Sequence, residues 1–105
     1  MTREKGSLIP RFSPDAERVL DKLEKDEHND RLVDAIWDVI ELIIDQPTSA
    51  LARRRTLRTV KGHTVWLVPI SVWHDDEPWV VLWQPRDDEA LIAYIGPEDF
   101  QPHRI

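Results

Sequence analysis

Five cations stand in a stretch that holds no acid. Between Gln46 and His74 the chain carries Arg53, Arg54, Arg55, Arg58 and Lys61, with no Asp or Glu among them. The whole chain is acidic, with a formal net charge of -6. A basic patch concentrated on an acidic chain points to a local anion-binding surface rather than to general adhesion to nucleic acid. The guanidinium fork fits phosphate oxygens and carboxylates alike. A solvated loop that balances the acidic helices would account for any one arginine, less readily for all five cations together. His63 follows the run and can join it as a proton-transfer or phosphate-binding group. His28, His74 and His103 read as solvated loop or strand-end residues.

Other chemistry is thinner. The five tryptophans can serve as a stacking platform for exposed bases, but Trp66 and Trp83 read as core. Trp73 and Trp79 flank an acidic turn and are expected to close it as a cross-strand aromatic pair. The clusters Asp75-Asp76-Glu77 and Asp87-Asp88-Glu89 have the composition to hold a divalent cation. Each reads better as a soluble hairpin tip with no third ligand source. There is no phosphate loop, dinucleotide fingerprint or paired-histidine metal motif. No metal site and no cofactor is expected. The absence of cysteine excludes disulfides and thiolate-held metal.

These groups need a scaffold. With 105 residues a single domain spanning 1–105 is expected. Its centre is the stretch Val65–Ile95. Three runs rich in β-branched and aromatic residues are broken there by two acidic, proline-bearing turns, which predicts a three-stranded antiparallel meander. Such apolar strands need a cover. Ser7–Phe12 is a short candidate strand that Pro10 confines to an edge. Ser13-Pro14-Asp15 starts a helix by capping, proline placement and dipole complement. Ala16, Val19, Leu20 and Leu23 give that helix one apolar face, out to about Asp26 or Glu27. Asn29 or Asp30 caps a second helix with a broad stripe from Leu32 to Ile44, which Pro47 stops. Leu51–Val60 has no clear period, though Leu57 and Val60 can belong to a short strand or turn, and Lys61-Gly62 is a turn. After Ile95, Gly96-Pro97 ends regular structure, and Glu98–Ile105 is read as a short tail, partly ordered through Phe100. The predicted fold is a two-layer α+β domain: an antiparallel three- to four-stranded sheet with a helical hairpin packed on one face. Leu20, Leu23, Ile36, Ile40 and Ile43 are expected to pack on Trp66, Val68, Val81 and Ile92. No membrane span or leader is visible, and a cytoplasmic location is expected.

The order of short strand, two helices, basic link and meander resembles the RelE/ParE toxin superfamily of bacterial toxin–antitoxin systems. The likeness covers nearly the whole chain. It is carried by Phe12-Ser13-Pro14-Asp15-Ala16 running into Leu20 and Leu23, by Ala35-Ile36 to Pro47, by Leu57 with the strand opening at Trp66, and by Ala93-Tyr94-Ile95. The resemblance implies a toxin component silenced by a cognate antitoxin protein. Its target would be mRNA on the ribosome, cut without metal, or alternatively DNA gyrase, bound without cutting. A degenerate member that only binds an antitoxin is a further alternative. The family's basic link corresponds to Arg53–Lys61. An arginine usual near the next-to-last strand is replaced here by Val80-Val81.

If RNA is cut, the 2′-hydroxyl loses a proton, the phosphorane charge is stabilised and the leaving oxygen gains a proton. His63 or Lys61 would move protons. Arg53, Arg54, Arg55, Arg58 and Arg86 would meet the charge. The family's frequent use of a tyrosine makes Tyr94 a candidate as well. Arg53, Arg54, Arg55, Arg58 and Lys61 are the residues expected to hold RNA or antitoxin.

Overall fold

The computed structural model describes residues 8–58 and 61–99. Val60, Phe100 and His103 lie outside the described residues. The first strand, β1 (Ile9–Phe12), leads into helix α1 (Pro14–Glu24). Ser13 caps α1 as expected: its Oγ accepts from the Ala16 N–H at 3.1 Å, and its own hydroxyl donates to the Ala93 carbonyl at 3.0 Å. One side chain thus satisfies an orphan helix donor and fastens the helix start to the sheet. Ala16, Leu20 and Leu23 are buried. The helix ends slightly early because Asp26 caps a single 3₁₀ turn (Glu27–Asn29), accepting from the His28 N–H at 2.9 Å. Asn29 precedes α2 (Asp30–Asp45) but does not cap it with its side chain. Its amide donates instead to the Leu23 carbonyl at 3.3 Å, closing the hairpin of helices. The apolar stripe of α2 buries Leu32, Ala35, Ile36, Val39, Ile40 and Ile43.

The sheet is larger and less uniform than predicted. Among the described residues it has five strands in the order β1-β5-β4-β3-β2, with β2 (Arg55–Arg58), β3 (Thr64–His74), β4 (Glu77–Arg86) and β5 (Glu89–Pro97) forming an antiparallel run. β1 joins β5 in parallel, Ile9 beside Glu89 and Phe12 beside Ile92. The expected antiparallel sheet of three to four strands is therefore corrected to a mixed sheet of five. Edge position explains why β2 left only the ambiguous signal of a short strand or turn at Leu57. It pairs only with β3 and holds one half-buried apolar residue, Leu57, among three exposed ones. A charged, short edge strand also resists pairing with other chains.

The aromatic pair predicted at the acidic turn does not form. Asp75 and Asp76 take φ of 51° and 63°, the left-handed values of a two-residue hairpin turn. That turn sets His74 opposite Glu77 and Trp73 opposite Pro78, so Trp79 falls one row further on. Trp79 meets the His74 ring edge-on at 5.2 Å, and Trp73 is left 67 % exposed. Between Pro69 and Trp73 the β3–β4 register slips, and Ile70–Val72 bulge against Trp79 alone.

Both helices pack on one face, with Val68, Ile70, Val81, Trp83, Ala90, Ile92 and Ile95 supplying the sheet side of the core. The packing expected of Leu20, Leu23, Ile36, Ile40 and Ile43 is found, with Trp66 half-buried at its margin. The opposite face has a smaller core of Val65, Leu67, Val80 and Leu82, flanked by Leu57 and Tyr94. Over it the Tyr94 ring lies against Gly96. A Cβ built on Gly96 would stand 2.6 Å from the Tyr94 oxygen. Gly96→Ala is therefore expected to cost about 1–3 kcal/mol by overpacking, read as a lower urea midpoint at constant slope. A midpoint equal to that of the parent would mean the ring moves aside freely.

Candidate anion-binding edge

The basic link becomes the β2 edge of the sheet and the segment leading into it. Two buried contacts clamp that segment. Trp83, fully buried on β4, donates its indole N–H to the Ala52 carbonyl at 2.7 Å. Arg53 donates Nε–H to the Pro47 carbonyl at 2.7 Å, and its guanidinium lies 4.0 Å from the Trp66 ring centroid. The Trp66 and Trp83 rings are 5.3 Å apart. Sheet, indoles and link thus form one stack with Arg53 as its outer layer, a cation–π contact strengthened by partial burial. Arg53 was expected to contact the ligand. The structure gives it to the scaffold, where it fixes the position of its neighbours.

Those neighbours point outward. Arg54, Arg55 and Arg58 are exposed. Strand alternation puts Arg55 and Leu57 on the face of the small core, and Thr56 and Arg58 on the helix face, matching their β3 partners Leu67, Val65, Trp66 and Thr64. The cations therefore straddle the edge. Arg54 turns toward α2, where it borders a groove of about 360 Å³ with Asp38, Leu42, Leu51 and Pro69. Arg55 has a carboxylate neighbour, Glu98, at 3.6 Å with both side chains partly exposed. Such a pair contributes little and yields readily to a stronger anion.

Arg58 ends β2, and exposed Lys61 and His63 lie in the connection to β3. β4 runs antiparallel to β3, so Arg86 at its end lies at the same end of the sheet as Arg58. The Gln84 side-chain oxygen accepts from Arg86 Nε at 3.0 Å once the amide is oriented to match its neighbours. Arg58, Lys61, His63 and Arg86 are thus gathered at one end.

Tyr94 is not part of that group. Its β4 partner is Leu82, four residues from Arg86, or about 13 Å along the strand at the usual rise. Its hydroxyl donates to the Pro97 carbonyl at 2.8 Å. Burial, with the charges of Asp99 and Glu77 adding to it, pushes the phenol above its ordinary pKa. A phenol held protonated is a poor general base. Tyr94→Phe is expected to lower stability by about 0.5–1.5 kcal/mol through the lost hydrogen bond, read as a lower urea midpoint. A midpoint equal to that of the parent would mean that this bond does not hold β5 in place.

The acidic turns serve the hairpins. Asp75, Asp76 and Asp87 all adopt left-handed φ, which Asp tolerates better than most residues. Glu89 forms a two-pronged pair with Arg11, at 3.0 and 2.9 Å, joining β1 to β5. Sequence reasoning missed the stacking of Arg53 on Trp66 and the tether from Trp83 to Ala52, because no local pattern reports contacts between residues this far apart in the chain. No described helix is long and apolar enough to cross a membrane. No family model matches this chain, and comparison with curated proteins and with solved structures finds no significant match.

Proposed function

We propose that this protein is a toxin component of the RelE/ParE kind, acting through its β2 edge on a phosphate-rich partner, with mRNA on the ribosome as the first target. The observation that carries the reading is the edge itself. Arg54, Arg55, Arg58 and Lys61 are exposed along one rim of an otherwise acidic protein, on a link clamped by Trp83 and Arg53. A backbone held at Ala52 and Arg53 loses less conformational freedom on binding than a mobile one, so more of the attraction of the cations it carries appears as affinity. The order of strands and helices supports the same reading by likeness of architecture, which is an argument about fold rather than chemistry.

In a cleaving toxin, Arg58 and Arg86 would stabilise the charge on the phosphorus oxygens, and His63 or Lys61 would transfer protons. The second reading is a ParE-like module that binds DNA gyrase without cutting RNA. The engagement of Tyr94 with Pro97 favours it, because that hydroxyl is not presented at the cationic end. Induced expression with mapping of RNA 5′ ends, alongside a gyrase supercoiling assay, separates the two. New 5′ ends within coding sequences support the first reading. Inhibited supercoiling with unchanged ends supports the second. Unchanged ends, active gyrase and normal growth would remove both.

A further inference from the structure

A second site lies away from the β2 edge. Where β3 bulges at Ile70–Val72 it leaves a cleft of about 400 Å³ against the start of α2. Its polar lining is His28, Arg31, Ser71 and His74, and Trp73 forms part of its wall. Among the described residues, no carboxylate lines it. Three of those residues donate to anions when charged, and the serine hydroxyl can donate too. Arg31 is exposed and makes no hydrogen bond or ion pair among the described residues. Both histidines are turned by acids outside the lining: His28 Nδ1 is 2.9 Å from Asp26, and His74 Nε2 is 3.5 Å from Asp75. The other nitrogen of each ring makes no hydrogen bond among the described residues.

Trp73 is the most exposed of the large apolar side chains described, at 67 %. A flat indole bordering a cationic cleft offers a face for a planar ring and donors for an anion within one small volume. The size falls within the range of small-ligand sites. We propose that this cleft binds a nucleoside monophosphate unit, its phosphate on Arg31 and the two histidines and its base stacked on Trp73. The site does not depend on the reading of the β2 edge and shares no residue with it.

Adenosine monophosphate, adenosine and inorganic phosphate are the probes, titrated by calorimetry into the intact protein. The monophosphate should bind at sub-millimolar concentration and more tightly than either half. Trp73→Ala should weaken it by about five- to one-hundredfold, the range for loss of one base stack. Arg31→Gln should weaken it by about tenfold or more. Both side chains are exposed, so both variants should keep the parent's urea midpoint. Substituting Arg54 and Arg58 should leave this affinity unchanged. Absence of binding at millimolar concentration, or either cleft variant binding within twofold of the parent, overturns the proposal. A 5′-phosphorylated trinucleotide tests the source. Arg31-sensitive binding tighter than that of the monophosphate identifies an RNA end, whereas equal binding identifies a free nucleotide.

Discussion

Trp83→Ala is expected to lower stability by about 3–5 kcal/mol, the usual cost of emptying a fully buried aromatic site. The side chain fills the centre of the helix-side core with no exposed surface. Its removal also leaves the Ala52 carbonyl, on a residue equally buried, without its donor. Trp83→Phe separates the two effects. It keeps most of the side-chain volume but loses the N–H and part of the indole, so about 1–3 kcal/mol should remain, chiefly the cost of an unsatisfied buried acceptor. Urea denaturation gives both numbers. A loss below 1 kcal/mol for the alanine variant would mean that the link and helices do not depend on this indole. The phenylalanine variant should also weaken anion binding, because the segment carrying Arg54 loses a tether.

If the protein acts as the proposed toxin, removing charge from Arg54, Arg55, Arg58 and Lys61 together, each to Gln, should abolish growth arrest and leave the fold intact. All four are exposed, and the contact of Arg55 with Glu98 is too solvated to matter much. Single-stranded nucleic acid releases about 0.7 counterions per phosphate neutralised. If all four cations contact phosphate, the log–log slope of affinity against salt should flatten by about three. The same substitutions should slow association with an acidic antitoxin segment and remove its salt dependence. An unchanged salt slope would take these residues out of the nucleic-acid interface. Arg53 belongs in a separate variant, because its loss disturbs the Trp66 stack and would confuse binding with stability.

Much of the architecture was legible because it depends on local rules. Ser13, Pro14 and Asp15 start α1, Pro47 stops α2, and periodic leucines and isoleucines mark the buried faces. The meander strands announced themselves by β-branched and aromatic runs. β2 was legible only as an ambiguous short strand or turn at Leu57, because an edge strand with one half-buried residue carries little hydrophobic signal. The parallel pairing of β1 was hidden for a different reason: it joins residues eighty apart in sequence. The cationic patch was visible as charge composition. Its division into one scaffold arginine and several outward ones required knowing that Trp66 and Trp83 stand under Arg53.

The pairing of β1 with β5 also orders events during synthesis. Ile9 finds its partner at Glu89 and Phe12 at Ile92, so the first strand made waits for the last. Contacts this distant along the chain carry the largest loop-closure cost and form slowly. On a ribosome moving from the first residue to the last, α1 and α2 emerge with their apolar faces uncovered while the strands that will cover them are still unmade. The nascent chain therefore passes through a stage with exposed core surface, the condition in which chains associate wrongly or recruit chaperones. Completion of β5 ends that stage by supplying the floor for α1 and the neighbour for β1 in a single step.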